Sequence, residues 1–176
     1  KRNSGKSSLL NAITGQEIAL VSEVKGTTTD PVSKAMEIHP IGPCLLIDTA
    51  GFDDTGDLGN MRIEKTKAVL DKTDVAVVVF SDMQMELETQ WIAMLRQRKI
   101  PILAVVNQVD RIEQVQEIKR QIEQRFSLTP LLVSAKEKTG ISQMKHEILR
   151  LMPPDFEAQS LTGSLVQPED VVHLLM

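Results

Sequence analysis

From Leu45 onward the chain alternates short apolar runs with amphipathic stretches, the pattern that strands and crossover helices make in a parallel sheet. Asp74-Val75-Ala76-Val77-Val78-Val79-Phe80 and Ile100-Pro101-Ile102-Leu103-Ala104-Val105-Val106 are continuous aliphatic runs, as expected of strands covered on both faces. Pro130-Leu131-Leu132-Val133-Ser134 is a third. Three stripes recur at three- and four-residue steps, each predicting a helix: Leu87, Trp91, Met94 and Leu95; Val115, Ile118, Ile122 and Phe126; Ile141, Met144, Ile148 and Leu151. Trp91 and the methionines therefore read as core residues. Ser33 to Glu37 and Cys44 to Asp48 flank Pro40-Ile41-Gly42-Pro43 and predict an antiparallel hairpin feeding the sheet. The expected fold class is α/β, a mostly parallel sheet with one antiparallel edge hairpin and helices on both faces. Pro153-Pro154 stops the last helix. Residues 153–160 read as a linker. Residues 161–176, with Leu165-Val166 and Val171-Val172-His173-Leu174-Leu175-Met176 as strand material, read as the start of a following domain.

Composition narrows the function classes. No apolar run approaches the eighteen or so residues a membrane helix requires, so a membrane partner is not expected. The opening Lys1-Arg2-Asn3-Ser4-Gly5 lacks a charged-then-apolar signal pattern, and the expected compartment is the cytoplasm. Cys44 is the only cysteine, which excludes an intrachain disulfide and a thiolate-held metal centre built from this segment alone. A net charge of −4 and 3% aromatic residues with no Tyr argue against both a counterion-driven nucleic-acid surface and a base-stacking platform.

The candidate chemistry begins at the first residue. Lys1-Arg2-Asn3-Ser4-Gly5-Lys6-Ser7 matches G-x-x-x-x-G-K-S/T without its first glycine, and the strand that normally leads into the motif is missing from this chain. In such a loop the backbone N–H groups of Asn3, Ser4, Gly5, Lys6, Ser7 and Ser8 face phosphate oxygens, and the positive end of the following helix supports them. Lys6 is expected at the β- and γ-phosphates and Ser7 at Mg²⁺. Leu9, Leu10 and Ile13 supply the apolar stripe of the helix, which Gly15 ends. Leu45-Leu46-Ile47-Asp48-Thr49-Ala50-Gly51 is an apolar strand ending in D-x-x-G, where Asp48 would hold Mg²⁺ through water and the Gly51 N–H would reach the γ-phosphate. Gly26-Thr27-Thr28-Thr29-Asp30 lies between the first helix and the hairpin. Thr28 there is the candidate switch threonine on Mg²⁺, with Thr27 as its alternative.

Val105-Val106-Asn107-Gln108-Val109-Asp110 ends a strand with an Asn and an Asp three apart, resembling the N-K-x-D box that reads guanine. Gln108 stands where lysine is usual, which predicts weaker nucleotide affinity with guanine preference retained by the Asp110 carboxylate. Ser134-Ala135-Lys136 resembles the S-A-K loop whose backbone meets the guanine oxygen. Four such boxes in order, each at a strand end, predict a P-loop G domain over residues 1–152 that binds GTP and GDP and hydrolyses GTP. Phe52, after D-x-x-G, cannot orient water as a glutamine does.

These strings resemble the translation-factor-related GTPases that include tRNA-modification and ribosome-assembly enzymes. Within that group, Gly26 to Val32, Met36 to Pro43 and Asp48 to Asp54 resemble the HydF-type maturation GTPases of FeFe hydrogenases. That resemblance implies a scaffold that accepts and delivers a di-iron precursor, with an iron–sulfur cluster on cysteines of a C-terminal domain absent from this chain. It also implies a homodimer, with the hydrogenase and its radical-SAM maturation enzymes as partners. In potassium-stimulated relatives a P-loop asparagine helps hold K⁺, and Asn3 falls at that position. Three readings follow: an enzyme whose turnover is the output, a slow nucleotide switch, and an RNA-linked GTPase of tRNA modification or ribosome assembly.

Overall fold

The structure is a computed structural model and describes residues 5–15, 32–48, 68–153 and 172–175. In chain order it contains α1 (Lys6–Thr14), β1 (Val32–Ile38), β2 (Gly42–Asp48), β3 (Val75–Phe80), α2 (Glu86–Gln97), β4 (Ile102–Val106), α3 (Val115–Phe126), β5 (Leu131–Leu132), α4 (Ile141–Leu151) and β6 (Val172–Leu175). The last turn of a further helix ends at Leu70. The strands form one sheet in the order β1-β2-β6-β3-β4-β5. Every neighbouring pair is parallel except the β1–β2 hairpin, as the apolar runs predict.

Side chains alternate across this sheet and divide the core into two layers. Cys44, Leu46, Val75, Val77, Val79, Leu103 and Val105 bury one face against Leu9, Leu10 and Ile13 of α1 and Ile141, Met144 and Ile148 of α4. Ile47, Ala76, Val78, Phe80, Ala104 and Val106 bury the other against Ile92 and Leu95 of α2 and Ile118, Ile122 and Phe126 of α3. The α3 and α4 stripes are those the periodicity selects, save that Val115 and Leu151 are only partly buried. On α2 the buried line is rotated to Glu88, Ile92 and Leu95, and Leu87, Trp91 and Met94 lie partly exposed at its edge. Amphipathicity marks a broad face, and packing on the strands chooses the residues at its centre.

The chain end departs most from expectation. Where the sequence reading assigns 161–176 to a following domain and leaves the sheet short of a central strand, Val172–Leu175 is itself the strand between β2 and β3. Val172, Leu174 and Leu175 are all buried there. A short aliphatic run reads identically in sequence whether it opens a new sheet or completes this one. Leu165, Val166 and most of the expected linker lie outside the described residues.

Candidate functional site

Because β2, β6, β3, β4 and β5 run parallel, their C-terminal ends share one edge, where ligands of open α/β sheets bind. Asp48 ends β2 at this edge, Asn107 follows β4, and Ser134 follows β5. The N-terminus of α1 joins them through one side chain. Asn107, fully buried, donates from Nδ2 to the Gly5 carbonyl oxygen at 3.3 Å and accepts at Oδ1 from the Ala135 N–H at 3.3 Å. One amide thus ties the phosphate-motif loop to the loop after β5, and the two contacts fix its orientation, since only oxygen can accept from Ala135.

Gly5 stands at φ 75° immediately before α1, a left-handed conformation that glycine adopts without penalty. A Cβ on it would come within 2.6 Å of Asn107 Nδ2 and 2.9 Å of Gln108 Nε2. Both the backbone angle and the close approach require glycine. Gln108, at the usual lysine position, therefore lies with its amide end against the motif glycine, and its own φ of 63° turns the chain out of β4. Beyond it, the Val109 N–H donates to the Val133 carbonyl at 3.3 Å and the Arg111 N–H to the Gln108 carbonyl at 2.8 Å.

The helix that starts here has nine residues, with no side-chain cap and no acidic residue in its first turn. Its leading N–H groups have no intrahelical acceptor, and the helix dipole makes that end attractive to an anion. Lys6 is partly buried at the first helical position, and Ser7 and Ser8 are exposed in the same turn. This donor set fits phosphate oxygens. Asn3, Ser4, Thr27, Thr28 and Gly51 lie outside the described residues, as does the side chain of Asp48. Of the expected Mg²⁺ ligands, Ser7 is the one whose side chain is described.

The base-reading box is arranged around Ser134. Its buried hydroxyl donates to Asp110 Oδ1 at 2.6 Å and accepts from the Glu137 N–H at 3.1 Å. Ser134 and Thr139 exchange backbone hydrogen bonds at 3.0 and 3.1 Å, closing the loop that carries Ala135 and Lys136. Gly140 follows at φ 74°, where a Cβ would lie 2.5 Å from the Leu132 carbonyl oxygen. Lys136 is exposed, its Nζ 3.8 Å from Glu137 Oε1. The Asp110 carboxyl is exposed and held below the usual carboxylate range. The Ser134 hydroxyl is the main cause, opposed by slight desolvation and aided by the Asp110 amide and the charges of Lys136 and Arg111. An ionised carboxylate with one oxygen committed to Ser134 keeps acceptor capacity for a base edge that offers donors.

A consequence can be measured directly. Ser134→Ala removes the leading cause of that depression, so the Asp110 pKa should rise toward 3.8, the value of an unperturbed Asp. Because the folded value lies below the unfolded one, the parent gains stability from this group above pH 3.8 and loses it as pH falls through the folded value. Carboxyl-carbon NMR titration of parent and variant checks the shift, and coincident curves would contradict the assignment.

Sequence reasoning located Asn107, Asp110 and Ser134 but not what they do to one another. The closures by Thr139 and Gly140 and the contact of Gln108 with Gly5 had no sequence signal beyond a glycine before a helix.

The fold and this edge define a guanine-nucleotide-binding P-loop domain. The profile of the 50S ribosome-binding GTPase family matches residues 1–108, and the chain belongs to that family. The tRNA modification GTPase MnmE of Flavobacterium johnsoniae is 32% identical over 97% of this chain and 36% of its own length. GTPase Der of Wolinella succinogenes is 33% identical over 86% of this chain and 34% of its own. The chain thus spans about a third of the length of these relatives. Among solved structures, Era in complex with MgGDPNP and a 16S ribosomal RNA segment superposes with a TM-score of 0.70 at 24% identity, covering 97% of this chain and 57% of Era. A probable GTP-binding protein engB gives 0.62 at 22% identity, over 86% of this chain and 94% of that protein. At these identities the two superpositions speak for the fold alone. The domain is a GTP-binding GTPase domain, and no helix among the described residues is long and apolar enough to cross a membrane.

Proposed function

We propose that this domain is the nucleotide switch of a larger protein, binding GTP with Mg²⁺ and resetting by slow hydrolysis to GDP and phosphate. The observation that carries the proposal is the double hydrogen bond of Asn107, which makes the phosphate end and the base end one site. In this reading Lys6 contacts the β- and γ-phosphates. Ser7, Asp48 and Thr28, or Thr27 in its place, hold Mg²⁺, and the Gly51 N–H meets the γ-phosphate. Bound Mg²⁺ neutralises charge on the transferring phosphoryl group. Asp110 accepts from the guanine N1–H and amine, beside the Ser134-Ala135-Lys136 loop. Unassisted GTPases turn over at roughly 10⁻⁴ to 10⁻² per second, which suits a switch better than metabolic flux.

Competition among GTP, ATP and XTP for one site tests the base assignment. Asp110→Asn should relax selection against XTP, because an amide can donate to the carbonyl that replaces the guanine amine. Equal ATP and GTP affinity in the parent would sink the reading.

The process this switch serves is supported from two sides. The names of MnmE and Der favour tRNA modification or ribosome assembly. The strings Gly26 to Val32, Met36 to Pro43 and Asp48 to Asp54 favour a hydrogenase-maturation scaffold, which adds a homodimer, a cluster-bearing C-terminal domain and the hydrogenase and radical-SAM enzymes as partners. We take the first as the leading reading, since named relatives along nearly the whole chain outweigh short strings. A cysteine- and histidine-bearing domain downstream would reverse that order. Either reading accommodates K⁺ at Asn3, where a cation would stabilise charge on the transferring group. Hydrolysis by the full-length, dimer-competent protein should then be faster in KCl than in NaCl at equal ionic strength, and Asn3→Ala should remove most of the difference. Equal rates in both salts would end the potassium assignment.

A further inference from the structure

β6 lies at the centre of the sheet yet is held differently from its neighbours. It pairs with β2 over four register positions and with β3 over two, whereas β3 and β4 share five. Strands β3, β4 and β5 are joined in sequence by single helices packed on the sheet, the connection that parallel neighbours require. β6 is reached from α4 through residues 154–171 and follows neither neighbour in sequence. Its place is therefore chosen by side chains and hydrogen bonds rather than by connectivity.

Those contacts are specific. On one face Val172 and Leu174 join Cys44 and Leu46 of β2 in the apolar cluster that also holds Leu9, Leu10 and Ile13 of α1. On the other, Leu175 joins Ile47 and Ala76. At the entry end Asp74 clasps the strand. Its Oδ2 accepts from the His173 backbone N–H at 2.8 Å and lies 3.2 Å from the ring Nδ1, while the Asp74 N–H donates to the His173 carbonyl at 3.0 Å.

We propose that the gap between β2 and β3 is a strand-acceptor groove, that Val172–Leu175 is its exchangeable occupant, and that occupancy supports the phosphate loop by completing the floor under α1. The groove takes a short peptide in parallel orientation, aliphatic at its first, third and fourth positions, by strand addition. The coupling half rests on the GTP-binding reading above; the docking half stands without it.

Cys44 makes the docking testable, because it is the only cysteine in the chain and the register partner of Val172. Neighbouring parallel strands bring such partners within the Cα separation a disulfide spans. Burial pushes the Cys44 thiol up to about 12, which keeps untargeted labelling slow. A peptide of residues 168–176 carrying Val172→Cys, activated as a mixed disulfide, is incubated with the unaltered full chain. The Cys44 sulfur attacks the peptide sulfur and expels the activating thiol. Mass spectrometry should find one peptide on Cys44, competed by unmodified peptide and reduced at least tenfold when the peptide also carries Leu174→Asp. The full chain carrying Val172→Cys should form the internal disulfide. An internal disulfide with no peptide adduct at any excess would show a fixed strand and overturn exchange. Absence of both, or equal labelling by the Leu174→Asp peptide, would overturn the groove itself.

For the coupling, full-length Leu174→Asp should bind a fluorescent GDP analogue at least tenfold more weakly than the parent, with affinity regained on adding unmodified peptide. Parent-like affinity in a Leu174→Asp chain that the peptide labels at Cys44 would overturn the coupling and leave the groove. A parent that binds no guanine nucleotide would instead count against the proposed function, with the labelling result unaffected.

Discussion

Replacing Asn107 with alanine should weaken both the fold and nucleotide binding. The side chain is fully buried and serves two backbone groups on separate loops, the Gly5 carbonyl and the Ala135 N–H. The Gly5 carbonyl keeps its helical bond from the Leu9 N–H at 2.8 Å, so the larger loss falls on Ala135. Leaving a buried donor without its acceptor costs about 1–3 kcal/mol. For a chain of this size that lowers the melting temperature by roughly 2–4 °C per kcal/mol. Affinity for a non-hydrolysable GTP analogue should fall with it, by about tenfold per 1.4 kcal/mol, because the base loop and phosphate loop then order separately at binding. Thermal melts without nucleotide and calorimetric titration with the analogue measure the two effects. A variant that melts and binds as the parent does would show that the amide is not a structural tie.

Lys6→Ala should separate binding from stability. Lys6 is partly exposed at the start of α1, and surface-type substitutions there change stability by about 0.5 kcal/mol or less. In the proposed complex its ammonium meets phosphate oxygens, and a charge-assisted bond of that kind is worth about 1.5–3 kcal/mol. Analogue affinity should therefore drop by about ten- to 150-fold with the melting curve almost unmoved. Lys6→Arg keeps the charge but replaces a compact point charge by a planar fork, and should recover only part of the loss. Parent-like binding by Lys6→Ala would remove the phosphate assignment from this loop, whereas a large fall in melting temperature would make Lys6 a structural residue.

The domain class was legible in the chain because its signals are local. The runs at Val75–Phe80 and Ile102–Val106 and the stripes through Ile118, Ile122 and Phe126 follow from the two periodicities of backbone geometry. Gly5-Lys6-Ser7 and Asn107-Gln108-Val109-Asp110 depend on residue type at fixed spacing, and their strand-end and helix-start settings are those observed.

Three things were decided by tertiary structure. The buried line of α2 passes through Ile92 and Leu95 with Trp91 at the rim, because docking on β3 and β4 sets the helix rotation within a wide apolar face. Asn107 reaches Gly5, 102 residues away in sequence, only because the α1 N-terminus and the end of β4 meet at one sheet edge. Val172–Leu175 becomes the middle strand because the gap between β2 and β3 accepts its aliphatic side chains and Asp74 accepts the His173 N–H, and no local pattern encodes that choice. Short-range sequence specifies which elements form and which chemistry they carry. Burial and hydrogen bonding between distant elements specify where those elements meet, because the free energy of such contacts exists only once the partners are together.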